Sequence, residues 1–257
     1  MDGGDPFKME VLRTRSHFTQ GRNECGLRSR TRKISSEKRL YAGGKKVSIN
    51  SKEFTYVLDK RRGEDGMMYE IVSQTHSGLR CLRLEIITGS DTAYLQELGK
   101  YDGCISPNET KNFGKIILQI ARDVLREFEP RVKYIELQDE AHSMCGKSYI
   151  KFNLSDMLLL TKGDTYYRCL GFSFKTASDT RAFNRNLEIL KNRRWRDIKS
   201  RLTTVFPLDS FPDNWGVRRC FERVLQDDCD YLAEHLGDIF AMLGLQRNNG
   251  VVYVMAL

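Results

Sequence analysis

Apolar and polar residues alternate in three short runs within the N-terminal half of the chain. Phe54-Thr55-Tyr56-Val57-Leu58 comes first, then Met68-Tyr69-Glu70-Ile71-Val72, then 79–87, where Leu82, Leu84 and Ile86 alternate with Arg83, Glu85 and Ile87. A period of two sends successive side chains to opposite faces, so these runs predict half-buried strands. The charged stretch 60–66 and the Gly-bearing segment before residue 79 separate them, which predicts an antiparallel meander. Further on the period lengthens. Ile117, Ile120, Ala121, Val124, Leu125 and Phe128 share one stripe, and Lys115, Gln119, Arg122, Asp123, Arg126 and Glu127 take the other face. That spacing predicts an amphipathic helix over about 111–129, ended by Pro130.

A strand over 132–137 follows, then a helix over about 155–161 with Asn153 or Ser155 as its cap, and a short helix near Tyr166. Lys162-Gly163-Asp164 reads as a helix stop and turn. Near the C-terminus, Val217, Phe221, Val224 and Leu225 form one helical stripe, and Leu232, Leu236, Ile239, Phe240 and Leu243 continue it. The acidic step Asp227-Asp228-Cys229-Asp230 breaks the two, and 251–254 closes the chain as a strand. Strands mixed with helices predict a mixed α/β fold, a sheet flanked by helices, with a mainly helical C-terminal part. No fixed-period repeat is present, which excludes a solenoid.

Charge divides the chain further. Residues 1–46 hold 12 basic and five acidic side chains, a net +7 of the total +8, and few large apolar residues. Such a segment predicts a flexible basic arm ending near Ala42-Gly43-Gly44, a core over 47–180 and a helical region over 181–257. The arm is either a solvated tail or an electrostatic handle for nucleic acid or another polyanion, with Arg28, Arg30, Arg32 and Lys33 as its densest cluster. A second cluster, 191–201, sets six cations around Trp195. As one helix it puts Lys191, Arg194 and Ile198 on one side and Trp195 and Lys199 on another. It is a solvated helix anchored by Trp195, or a phosphate-binding face using Arg193, Arg194, Arg196 and Lys199.

No run approaches the ~18 apolar residues of a membrane span, and the first residues show no apolar leader. Seven scattered cysteines with no C-x-x-C pair argue against a secreted disulfide framework and against a zinc site. The expectation is a reduced, intracellular setting. No G-x-x-x-x-G-K-[ST] loop and no G-x-S-x-G elbow occurs.

One succession carries a chemical hypothesis. A strand, a loop with Gly114, the long amphipathic helix, a strand, and then Tyr167-Arg168-Cys169-Leu170-Gly171-Phe172 resemble the cofactor-binding half of the GNAT acyltransferase superfamily. The resemblance implies that acetyl-CoA binds at the helix N-terminus through Lys111, Phe113, Gly114 and Lys115. The reason is physical, since first-turn N–H groups and the positive dipole end attract pyrophosphate. It also implies that Tyr167 protonates the departing thiolate. Ile116 stands where the family carries a small residue. The alternative is that Tyr167 is a core tyrosine and Gly114 a packing residue. Asp139 and Glu140 read as capping or bridging residues.

A narrower stretch is similar to a motif in proteins of large nucleocytoplasmic DNA viruses. It comprises Ile135-Glu136-Leu137-Gln138-Asp139, Leu154-Ser155, Gly163-Asp164-Thr165-Tyr166-Tyr167 and Gly171-Phe172. That likeness implies a viral protein acting in host cytoplasm or virus factory, or carried in the virion. Two functions stay open. One is a GNAT-like N-acetyltransferase or an inactive relative; the other is a basic virion or replication-site protein that binds nucleic acid without catalysis.

Overall fold

Strand formation starts inside the segment that composition assigns to the arm. The structure, a computed structural model, describes residues 38–49, 51–107, 112–145, 149–202 and 211–257. Strand β1 is Lys38–Ile49 and pairs antiparallel with β2, Lys52–Arg62, with Gly43 opposite Leu58 and Gly44 opposite Val57. Ala42-Gly43-Gly44 is therefore strand rather than hinge. An edge strand is held by one backbone ladder and little burial, so its apolar pattern is too thin to read from sequence. Residues 1–37, with Arg28, Arg30, Arg32 and Lys33, lie outside the described residues.

Two units make up the chain. The first comprises, among described residues, 38–137 and 255–257; the second is Gln138–Val254. The division thus falls at Leu137/Gln138, where the sequence pattern predicts it near residue 180.

In the first unit β3 (Gly66–Val72), β4 (Arg80–Ile87) and β5 (Thr92–Leu98) continue the meander from β1 and β2. Helix α1, Phe113–Phe128, then crosses to β6, Tyr134–Gln138, which runs parallel to β5. The order β1-β2-β3-β4-β5-β6 is a mixed sheet. Lys60–Arg62, expected in a loop, extends β2, because its charges find partners. Lys60 sits over the Tyr69 and Phe128 rings, and Arg61 pairs with Asp59. The turn that remains is closed by Gly63 N–H on the Gly66 carbonyl, 3.0 Å. Gly66 has no alternative: a Cβ there would lie 1.9 Å from the Ile86 carbonyl oxygen.

One sheet face carries Phe54, Tyr56, Leu58, Tyr69, Ile71, Leu82, Leu84 and Ile86, all buried. The stripe Ile117, Ile120, Ala121, Val124 and Leu125 of α1 is buried as well. Each fully buried large side chain contributes about 1.5–3 kcal/mol, which is why α1 docks as its pattern predicts. Its C-terminal end is fixed by Phe128 stacking on Tyr69 (centroids 5.9 Å) and by the Tyr69 hydroxyl donating to Glu129 at 2.6 Å. The connection from β5 to α1 is tied down by a Cys81–Cys104 disulfide and by a bridge between Thr55 and Ser106.

The second unit opens with the hairpin β7 (His142–Met144) and β8 (Lys151–Asn153). Helix α2, Leu154–Lys162, starts where the Asn153 side chain accepts from Asp156 N–H, 2.8 Å, and ends at Gly163, φ 74°. Both signals were legible. Helix α3, Tyr166–Cys169, and β9, Ser173–Phe174, follow. Helix α4, Ala177–Asn192, capped by Thr176, has no counterpart in the sequence reading, because it buries only Phe183, Asn186 and Leu190. Then come α5 (Trp195–Leu202), α6 (Val217–Asp227), α7 (Cys229–Glu234), α8 (Leu236–Leu243) and β10 (Val252–Ala256), the last antiparallel to β9. The acidic break is a real one. Asp228 ends α6 and caps α7, accepting from Tyr231 N–H at 3.0 Å.

A second disulfide, Cys145–Cys229, ties the end of β7 to the first residue of α7. Four of the seven cysteines are thus paired, against the expectation from their spacing. Bridges separated by 23 and 84 residues leave no short motif to read. Among the described residues no helix is long and apolar enough to cross a membrane.

Candidate functional site

The parallel pair β5–β6 is in register over the first three residues of each strand. Its register covers Thr92↔Tyr134, Ala93↔Ile135 and Tyr94↔Glu136, and stops there. On its other edge β5 stays with β4 to its last residue, through Leu95↔Leu84, Glu97↔Arg83 and Leu98↔Leu82. The register slips between Arg83 and Leu84, which makes Gln96 the extra residue of a bulge. A bulge bends its strand and adds twist, so β5 bends just beyond the point where its register with β6 ends. The carboxyl ends of parallel strands are where open α/β sheets take their ligands.

Helix α1 follows β5 through the crossover, and its first turn is unusually bare. Asn112, at the N-cap, makes no side-chain capping bond, and the first turn holds no acid. First-turn N–H groups have no partner inside a helix, and the dipole adds positive potential at that end. Of the residues expected there, Phe113 is buried and offers only its backbone, Gly114 is half-buried, and Lys115 is exposed. Lys111 lies outside the described residues. The bulk of Ile116 is spent in the core, at 5% exposure. The donor set is one that suits a diphosphate: backbone N–H groups, an exposed lysine and, among the described residues, no acid in the first turn.

Tyr167 belongs to the second unit and is 1% exposed. Its ring packs against Tyr166, Phe172 and Tyr253, at centroid distances of 5.2, 6.0 and 5.4 Å. That is the surrounding of a core tyrosine.

The second basic cluster is not one helix. Helix α4 stops at Asn192, Arg193 is extended, and α5 starts at Trp195, so the predicted sharing of faces by Lys191, Arg194 and Ile198 does not arise. The cause is local: Asp197 accepts from Arg194 N–H at 2.7 Å, and Arg194 forms a bridge with Gly216. Trp195 is buried against Phe211, as the anchored-helix alternative expects. Arg193 is half-buried, while Arg194, Arg196 and Lys199 are exposed. Two of these already face acids, Lys199 on Asp213 at 2.6 Å and Arg196 near Asp197 at 3.6 Å.

A buried polar cluster in the second unit gave little sequence signal. Asp156 is fully buried on α2 and accepts from Arg247 Nε at 2.6 Å, Asn248 N–H at 2.7 Å and Asn248 Nδ2 at 3.1 Å. Asp139, equally buried, accepts from Ala141 N–H through Oδ1 at 3.1 Å, while Oδ2 makes no hydrogen bond of normal geometry. Burial pushes its pKa up to about 7; the Ser155 hydroxyl, the Ala141 N–H and the Asn153 side chain pull back only in part, and the Asp156 carboxylate adds to the rise. Asp139 thus bridges locally, as expected of it, but the Asp156–Arg247 pair, 91 residues apart, was invisible. No group of His, Cys, Asp and Glu among the described residues could hold a metal ion. No family model, curated protein or solved structure matches the chain.

Proposed function

We propose that this chain is a divergent GNAT-like protein that binds acetyl-CoA in the opening between β5 and β6. The observation that carries the reading is the bulge at Gln96, which keeps β5 on β4 while its register with β6 stops at Tyr94↔Glu136. The uncapped, acid-free first turn of α1 supports it, with the Phe113, Gly114 and Lys115 N–H groups as the phosphate donors. Bound acetyl-CoA would supply an activated acyl thioester. The burial of Tyr167 favours a binding role over one in which its hydroxyl turns the cofactor over.

The test is calorimetry of acetyl-CoA binding to the full-length protein, wild type against Lys115→Glu. A glutamate at the third helical position is favourable to the helix end, so the fold is retained while the phosphate donor becomes an acceptor. Binding in the micromolar range that weakens at least tenfold in the variant is expected. Absence of saturable binding at 1 mM, or equal affinity in both proteins, rejects the reading.

The exposed faces of α4 and α5 favour a second reading, in which this surface attracts nucleic acid. Arg181, Arg185, Lys191, Arg194, Arg196, Lys199 and Arg201 are exposed there, against Glu188 and Asp197. Duplex binding that loses affinity with salt and loses slope in Arg194→Glu/Arg196→Glu would support it. Unchanged slope would remove this face from consideration.

A further inference from the structure

A cleft of about 400 Å³ opens in the second unit, and none of the residues assigned above to acetyl-CoA or nucleic acid lines it. Its walls are the β7–β8 hairpin, the α7–α8 corner and the turn after Leu245, with His142, Lys151, Asn153, Glu234, Arg247 and Asn249 as its polar lining. The Cys145–Cys229 disulfide joins the hairpin to α7, so the two walls are covalently tied. That volume suits a small metabolite rather than a chain segment.

Arg247 is held for recognition rather than left to roam. Its Nε donates to the buried Asp156 carboxylate at 2.6 Å, its Cζ lies 5.7 Å from the centre of the Phe240 ring, and its side chain is still 46% exposed. Space for Nη1 exists because residue 237 is glycine; a Cβ there would stand 3.3 Å from it. Neither Nη atom bonds within the described protein, so a guanidinium edge with two parallel donors is presented. Across the lining, Lys151 is exposed and adds a second cation. Asn153 is 4% exposed, and its Oδ1 is committed to the Asp156 N–H. That fixes the amide orientation, and the amide also supports the buried Asp139 carboxylate by a hydrogen bond.

His142 does not compete for the same charge. Its Nδ1 donates to the Glu140 carbonyl, and burial lowers its pKa, so the ring is neutral. Glu234 contributes the one carboxylate of the lining.

We infer that this cleft is a binding site for a small molecule with an oxyanion head, a carboxylate or a phosphate ester, gripped by the Arg247 fork and Lys151. A planar fork meets either group through two parallel N–H···O bonds, which a lone ammonium cannot do. The site is separate from the acetyl-CoA reading and does not depend on it.

The experiment is isothermal titration of the full-length protein with inorganic phosphate and, separately, with citrate, each against sodium chloride at matched ionic strength. Saturable binding of at least one, with Kd of about 1 mM or below, is expected. Phosphate alone identifies a phosphate ester as the natural ligand, and citrate alone a carboxylate. Arg247→Lys should weaken it at least tenfold. Lys151→Gln, at an exposed position, should weaken it about threefold to tenfold and leave the thermal midpoint of the ligand-free protein unchanged. Should Arg247→Lys fail to fold, the Lys151→Gln result decides. Heats equal to those of chloride, or an affinity unmoved by Lys151→Gln, overturn the assignment.

Discussion

Both units bury carboxylates against arginines, but among the described residues only the second also buries one without a counter-ion. In the first, Asp59 on β2 stands directly opposite Glu70 on β3, and Glu70 directly opposite Arg83 on β4. Two like charges side by side are tolerated because arginines reach in. Arg61 sits 2.7 Å from Asp59 and 3.3 Å from Glu70, and Arg80 is 2.7 Å from Glu70. In the second unit Asp156 has such a partner in Arg247, but Asp139 has none and raises its pKa instead. Charge can be buried with a counter-ion or by giving it up, and this chain does both. The consequence is that the pH dependence expected of Asp139 belongs to the second unit.

The largest effect should come from breaking the first arrangement. Glu70→Gln leaves Arg80 and Arg61 beside one acid fewer, and denaturant melts should show a loss of roughly 3 kcal/mol, since the arginines are only partly exposed. A loss below about 1 kcal/mol would mean that the row is solvated.

Next in size are the disulfides. Removing Cys145–Cys229 by paired serine substitution should cost more than removing Cys81–Cys104, because it closes 84 residues of chain rather than 23. Chain entropy puts the difference at about 1 kcal/mol, within typical totals of ~2–4 kcal/mol each. Chemical denaturation of the two double variants checks it, and the reverse order would show that native packing dominates.

Asp139→Asn sharpens the comparison most directly. Asp139 has a folded-state pKa of about 7 against an unfolded value of ~3.9, so between these values the folded state holds a proton that the unfolded state has lost. Stability therefore falls as pH rises from about 4 to 7 and is flat at the lower level above. The variant should be more stable than wild type at pH 8, by roughly 2–4 kcal/mol, and about equal at pH 4.5. Parallel melts at pH 4.5, 6 and 8 test this; a gap that does not change with pH would show that Asp139 is ionised throughout.

The smallest effect is expected at Tyr69→Phe, which removes the hydroxyl bond to Glu129 while keeping the ring on Phe128. Both burial and Glu129 push that hydroxyl pKa up, so it stays protonated and donating. A loss of about 1 kcal/mol is expected, independent of pH between 6 and 9.

Local pattern accounts for what was readable. The stripe of α1 is strong enough to name its buried residues, and Asn153, Gly163 and Asp228 mark helix ends by chemistry confined to a few neighbours. Elements without a dense stripe escaped: β1, at an edge; β5, where the bulge at Gln96 shifts the pairing; and α4, with three buried side chains in sixteen residues. The candidate acetyl-CoA site was half legible. Sequence points to Gly114 and Lys115, but the bulge at Gln96 and the end of the β5–β6 register are a property of three strands together. Tyr167 looked like chemistry by spacing and is packed as core.

The sequence by itself determined the mixed α/β class, the three central strands, the principal helix and its buried face, and the main helix stops. Each of these follows from periodicity or from capping groups within about four residues. Only the tertiary structure decided the bulge, the two disulfides, the Asp59–Glu70–Arg83 row and the Arg247 fork on Asp156. These join residues up to 91 positions apart or on separate strands, and their geometry is set when the elements pack. A charged residue in sequence carries no mark of the partner that will make its burial tolerable.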